Sequence, residues 1–313
     1  MKKQIRHSCF LLAWLLVGCQ ASLDLDAVNK EIAQSVHRFD QLQAITSQKN
    51  KLIAVGSGGV VITSLDKGQS WSRTELEGHP PLIDITVCPN GEFYLLDMTR
   101  SVWFGDGEKS WQQHKLDTAE VPLSITCDFH NRVWVSASFS TLLMSEDNAQ
   151  SWKVTSFDED LMLNTIQFIN QDIAVTTGEF GTVLFSYDGG ESWQRVTSLP
   201  DEFYPQATQF IDPLTGWVVG LNGNIFFTKD GAKNWSRYVL GDSESLYGIT
   251  AVDNKVLFVG DHSVSYVWQD SAAVKLQSET QLRDYLRGVT VLDDGSIYVA
   301  GGSGTLTRLD VKL

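Results

Sequence analysis

The 313 residues carry 24 Lys and Arg against 38 Asp and Glu, a formal charge of −14 at pH 7, with 42% hydrophobic residues, 25 Gly and 10 Trp. This hydrophobic share, beside only 20% charged residues, excludes a disordered chain. The acidity excludes nucleic acid and anionic lipid headgroups as partners of the folded part.

The N-terminus reads as an export signal. Residues 1-MKKQIRH-7 hold three positive charges and no negative one, and 8-SCFLLAWLLV-17 is an apolar run too short to span a bilayer. The following 16-LVGC-19 resembles the bacterial lipobox, in which the chain is cut before a Cys that becomes diacylated. Residues 1–18 are therefore expected to be a lipoprotein signal peptide, Cys19 the lipidated residue and 19–27 a tether, since one residue bearing several acyl chains anchors a protein stably. Gln20 stands where an Asp would retain such a protein at the inner membrane, so the periplasmic face of the outer membrane is the expected location. Removing residues 1–18, with Lys2, Lys3 and Arg6, takes the formal charge from −14 to −17.

From residue 28 onward the chain is repetitive. Trp71, Trp111, Trp152, Trp193 and Trp235 follow one another at steps of 40, 41, 41 and 42 residues. A second series, Ile45, Ile85, Ile125, Ile166, Ala207, Ile249 and Val289, opens each unit at steps of 40 to 42. Two series with one period define seven units. Within the fourth, 165-TIQFIN-170, 172-DIAVTTG-178, 182-TVLFSY-187 and 192-SWQRVTS-198 are four short runs of β-branched and aromatic residues separated by polar or Gly turns. Four strands per 40-residue unit predict an all-β, seven-bladed β-propeller over residues 28–313. The seventh unit stops before a fourth strand, whereas 28-VNKEIAQSVHRF-39 precedes the first unit without one of its own. Part of that segment is expected to pair as the outer strand of the last blade and close the ring.

Each Trp ends a frame S-x-D-x-G-x-S-W, complete in 64-SLDKGQSW-71 and 186-SYDGGESW-193, partial in 104-FGDGEKSW-111, 145-SEDNAQSW-152 and 228-TKDGAKNW-235, and decayed in 268-WQDSAAVK-275. This is the Asp-box, or bacterial neuraminidase repeat. Asp66, Asp106, Asp147, Asp188 and Asp230 are expected to accept bonds across the turn between the third and fourth strands, with the Trp packed between blades. That turn lies opposite the inner-strand loops, so the motif is read as structural.

Candidate binding residues fall elsewhere. The second-to-third-strand loops read Ser57-Gly58, Thr99-Arg100, Ser138-Phe139, Glu179-Phe180, Leu221-Asn222, Asp261-His262 and Gly302-Ser303. The linkers between blades are acidic in most units, including Glu75, Glu120, Asp158 to Asp160, Asp201, Glu202, Asp242, Glu244 and Glu279, which predicts a negative rim. Arg73, Arg195 and Arg237 stand two residues past their Trp and form a candidate arginine band, or pair with neighbouring acids; Arg100, Arg283 and Arg287 are the arginines expected on the loop face. A sialidase needs three arginines on a carboxylate, a Tyr–Glu nucleophile and an Asp acid, and the Phe-Arg-Ile-Pro segment before such repeats is absent. The six His are scattered among different units, and only His262, beside Asp261, faces a predicted pocket. No metal, P-loop, Ser-elbow or dinucleotide signature occurs, so no cofactor is expected. Cys88 and Cys127 read as two small buried residues, with a single disulfide left open.

Openings such as 246-LYGIT-250 and 286-LRGVT-290, endings such as 218-VVG-220 and 299-VAGG-302, and boxes of the DGGESW kind resemble the photosystem II stability/assembly factor family over residues 30–313. The resemblance implies a non-enzymatic scaffold that holds membrane-protein intermediates partly through an arginine-rich surface. This chain departs from that pattern in being strongly acidic. The leading expectation is a lipid-anchored envelope scaffold that binds a protein or membrane complex and not a small-molecule substrate; the alternatives are a sialidase-like glycan hydrolase or lectin, and an outer-membrane assembly component that meets other lipoproteins.

Overall fold

A computed structural model describes residues 25–108, 110–252, 255–277 and 284–309. The signal peptide, Cys19, most of the expected tether and Arg283 lie outside the described residues. The chain forms two units, residues 1–34 and 35–313. In the first, Asp26–Ile32 is a two-turn helix with Asp26 in its first turn and Lys30 in its last, each favourable to the helix dipole. No helix of the described residues is long and apolar enough to cross a membrane.

The second unit is a seven-bladed propeller of antiparallel sheets. Blade 1 consists of Leu42–Gln48, Lys51–Gly56, Val60–Ser64 and Ser72–Glu75, from inner to outer strand. The inner strands of blades 2 to 7 are Leu82–Val87, Pro122–Cys127, Leu163–Phe168, Pro205–Phe210, Leu246–Val252 and Leu286–Val291. Burial follows position: second and third strands are covered on both faces, inner strands alternate, and outer strands are largely exposed. Runs such as Phe93–Asp97 are apolar for that reason, since both faces of the strand meet a neighbouring blade. The core is accordingly divided into seven hydrophobic clusters, each filling one blade-to-blade interface.

Every inner strand carries a β-bulge at its second residue, between Leu42 and Ala44 in blade 1 and at the same place in the other six. The bulge sets the register of the repeat. It aligns Ala207 with Thr165 and therefore Thr208, not Ala207, with Ile166 and the other opening residues. The sequence series was one residue off in blade 5, because an Ala before a Thr resembles the aliphatic–Thr pair of the other blades.

The expected N-terminal closing strand does not form. Residues 26–32 are helical, residues 33–40 form no strand, and among the described residues blade 7 has three strands, Leu286–Val291, Ile297–Gly301 and Leu306–Arg308. Closure comes instead from side chains and a docked segment. Ser47 bonds Thr290 Oγ1 at 2.8 Å and the Val291 carbonyl at 3.0 Å between the inner strands of blades 1 and 7. Val36 packs into the cluster containing Tyr298 and Ala300, and Gly304 N–H donates to the Asp40 carbonyl at 2.8 Å. In 33-AQSVHRFD-40 only Val36 packs into the core while Phe39 is 62% exposed, and the segment has no alternation to sustain a strand.

The Asp-boxes fasten neighbouring blades. Asp66 accepts the Ser70 hydroxyl at 2.5 Å, the Ser70 N–H at 2.9 Å and the Ser64 hydroxyl at 2.8 Å, and Asp147, Asp188 and Asp230 repeat the arrangement. These bonds, led by the hydroxyl or amide of the residue four positions on, hold Asp66, Asp147 and Asp230 down at about 2 and lower Asp188 as well. Asp106 has Phe104 where the others have Ser or Thr and instead caps the Glu108 N–H at 2.9 Å. Gly190, at φ 93°, lies against the Trp134 ring of blade 3, and a Cβ there would approach it to 2.5 Å. Trp193 meets the same ring edge-on at 6.3 Å, and Trp71 meets Tyr298 of blade 7 at 6.2 Å. Trp111, Trp152 and Trp235 pack half-buried into the corresponding interfaces. At the same end of the ring, Cys88 and Cys127 are joined as a disulfide between blades 2 and 3, so of the two readings left open the bonded one holds.

Candidate functional site

The face opposite the Asp-boxes is built from the three-residue turns between second and third strands and from the linkers that enter the next blade. Their residues meet directly: Leu76, Phe157, Leu199 and Leu240 each donate a backbone N–H to the carbonyl of the last turn residue of the same blade. The strand pairings place Gly58, Thr99, Phe139, Phe180, Asn222, His262 and Ser303 at the middle of the seven turns. All but Thr99 have φ between 48° and 74°. In blade 2 the buried Asp97 carboxylate takes the Thr99 and Ser101 N–H groups, so the left-handed residue is Arg100, one position later than the sequence alignment had it. The linker acids Glu75, Glu120, Asp158, Glu159, Asp160, Asp201, Glu202, Asp242 and Glu244 surround these turns; Glu279 lies outside the described residues.

The candidate arginine band is bound within the propeller. Arg73, Arg195 and Arg237 pair with Ile62, Leu184 and Phe226 of the third strand at equivalent ladder positions. Each guanidinium reaches an acid on the segment that enters its own blade. Arg73 bonds both oxygens of Asp40 at 2.8 and 3.1 Å, Arg195 bonds both oxygens of Glu159 at 2.7 and 2.6 Å, and Arg237 reaches Asp201 at 3.1 Å. The Asp40 side chain is only 2% exposed. Burial opposes the charge on Arg73, yet the bonds to Asp40 and Glu75 raise its pKa above the ordinary arginine value. Gln113 and Val154 occupy this position in blades 2 and 3, whose linkers consequently lack the clasp.

The other arginines are separate. Arg100 donates to the Thr118 and Ala119 carbonyls at 3.4 and 3.1 Å. Arg287 stands at the bulge of blade 7 and lines the central channel, a space of about 360 Å³ bounded by all seven inner strands. The bulge residues Gln43, Asn164, Gln206, Tyr247 and Arg287 make its wall polar on five blades, and Ile83 and Leu123 complete the ring. Asp84, one residue deeper, accepts the Ser124 hydroxyl at 2.8 Å and the Ile125 N–H at 2.9 Å from blade 3. Burial pushes its carboxyl up, offset in part by those bonds and by Arg287. Sequence reasoning missed Asp84; its signal is an acid in a register position that is otherwise Ala, Ser, Thr or Gly. His262 Nδ1 lies 2.9 Å from Glu244 Oε2, which raises its pKa, and Asp261 completes the cluster of donor atoms within 4.8 Å.

Comparison with known proteins agrees with this architecture. Residues 106–249 match the family model of the photosynthesis system II assembly factor YCF48. The photosystem II assembly protein Ycf48 of Thermosynechococcus vestitus is 24% identical over 159 residues, 47% of this chain and 45% of that protein. The chain thus matches about half the length of this curated relative. A propeller described as YCF48 bound to D1 peptide superposes with a TM-score of 0.70 at 14% identity, over 88% of this chain and 94% of the other. A streptogramin B lyase reaches 0.74 at 14% identity, over 88% and 95%, and at such identities the likeness is one of fold. Family model, curated relative and repeat architecture agree in making the chain similar to the Ycf48 assembly factors.

Proposed function

We propose that this chain is a non-enzymatic scaffold, lipid-anchored through Cys19 on the periplasmic face of the outer membrane, that holds a protein partner during assembly of an envelope complex. The observation that carries the reading is the match of residues 106–249 to an assembly-factor family, on a fold shared with a relative described as bound to a D1 peptide. The export signal and lipobox in residues 1–19 support the anchor. Arg73, Arg195 and Arg237 then act first by clasping linkers, and the turn face, where Arg100 and Arg287 emerge and Arg283 is expected, is the surface offered to the partner. The strong negative charge argues that the partner differs from that of the photosynthetic relatives.

Chemical crosslinking followed by purification from membranes is expected to recover one envelope protein in stoichiometric amount, and recovery of the bait alone refutes the reading. Labelling with an alkyne fatty acid is expected to mark the protein and to be lost in Cys19→Ser. A catalytic reading is favoured by the fold shared with streptogramin B lyases and by the Glu244, Asp261 and His262 cluster on the turn face. Cleavage of a glycan or of streptogramin B that is lost in His262→Ala is the result that would place it first.

A further inference from the structure

We propose that the turns of blades 3 to 5 form a docking surface for a protein segment carrying apolar side chains flanked by Lys or Arg. The inference deepens the scaffold reading and rests on it. Phe139 and Phe180 occupy the middle of adjacent turns with φ of 50° and 55°, and their side chains are 42% and 59% exposed. A bulky residue in the left-handed region is strained, and the same position in blades 1 and 5 holds Gly58 and Asn222, which adopt it readily. Two aromatic rings held in this way and left in water contribute nothing to the core. Such strain is a mark of a functional surface.

The Phe180 ring opens an apolar crescent that continues into blade 5. The Phe180 turn docks on the Phe203 carbonyl at Gly181 N–H, Tyr204 reaches the Met162 sulfur at 3.8 Å, and Leu221 follows directly on Gly220, where a Cβ would meet Phe203 and Tyr204. Tyr204 and Leu221 are 37% and 44% exposed, and between them and Asn222 opens a pocket of about 270 Å³.

Charge decides the occupant. Asp158, Asp160, Glu179 and Glu202 border the crescent and form no ion pair among the described residues, whereas the cations beside them, Arg195 and Arg237, are already held by Glu159 and Asp201. Exposed phenyl faces among unpaired carboxylates attract ammonium and guanidinium groups both by Coulomb attraction and by the ring quadrupole. An acidic or purely apolar partner would leave those carboxylates facing like charge or desolvated.

The test places the photocrosslinker p-benzoylphenylalanine at Phe180 in the full chain in its native host, with Tyr187 on the Asp-box turn of the same blade as the opposite-face control. The expected result is a discrete adduct from Phe180 only, mapped by mass spectrometry to a Lys- or Arg-flanked apolar segment, with yield falling roughly tenfold in Asp160→Lys/Glu202→Lys of unchanged melting temperature. Adducts from Tyr187 alone, an acidic crosslinked segment, or yield indifferent to the charge reversal overturns the docking surface while the scaffold reading stands. No adduct from either position, together with an empty pull-down, overturns both.

Discussion

Replacing Arg73 by Ala separates a structural arginine band from a binding one. In the wild type Asp40 is 2% exposed and is held by Arg73 through two bonds and by the His37 N–H at 2.7 Å. Without the guanidinium, one backbone donor remains for a buried carboxylate. Breaking a buried pair from one side costs about 3–5 kcal/mol. Arg73 is itself 15% exposed, so water enters the gap and the lower part of that range, roughly 3–4 kcal/mol, is expected. At about 2–4 °C per kcal/mol for a domain of this size, the melting temperature falls by about 6–16 °C. Arg195 and Arg237 are 39% and 47% exposed with exposed partners, so Arg195→Ala and Arg237→Ala each cost about 0.2–1 kcal/mol and shift melting by no more than about 4 °C. Thermal unfolding followed by circular dichroism on the three variants decides the matter. An unchanged melting temperature in Arg73→Ala, or equal losses in all three, refutes the argument from burial.

Other consequences are as direct. Asp66, Asp147 and Asp230 titrate at about 2 when folded, below the unfolded carboxylate, so their contribution is complete above about pH 4 and disappears as pH falls toward 2; Asp147→Asn is expected to flatten the fall in melting temperature across that window, and a steeper fall contradicts it. Reduction of Cys88–Cys127, or Cys88→Ser/Cys127→Ser, releases a constraint over a sequence separation of 39, worth about 4 kcal/mol by loop entropy, and is expected to lower the melting temperature with the propeller circular dichroism retained; equal melting with and without reductant counts against it. Gly190→Ala presses a methyl group onto the Trp134 ring in a left-handed backbone and is expected to cost about 1–3 kcal/mol, measurable as a lower urea midpoint, whereas Gly58→Ala, with open space around it, retains only the backbone penalty. A larger loss in Gly58→Ala reverses the assignment of the clash.

The ring of seven, its four-stranded units and the Asp-box fasteners were legible in the amino-acid order because each rests on local pattern: alternation within a strand, turn residues at fixed offsets, and a period that repeats both. The turn face was legible to within one residue. Its exception, at blade 2, arose where the Asp97 carboxylate moved the left-handed residue by one position, and the inner-strand series slipped in blade 5 because Ala207-Thr208 imitates the aliphatic–Thr pair of the other blades. The closing segment was misread for a related reason, since an unfilled strand position in blade 7 says what the sheet lacks and not what the chain before residue 42 is able to supply.

What the amino-acid order alone determined is which residues alternate, turn and repeat, and hence the propeller. Only the tertiary structure decided which charges meet. Arg73 with Asp40, Arg195 with Glu159 and Arg237 with Asp201 lie 33 to 36 residues apart, and Asp84 meets Ser124 across a blade boundary. The three clasps depend on how each linker enters its own blade, and the Asp84 pair on the angle between successive blades, which is set by packing in the seven interfaces and by no single segment. The same packing leaves Phe139 and Phe180 in water beside unpaired carboxylates, because a turn at the end of a blade has no neighbour above it to bury against.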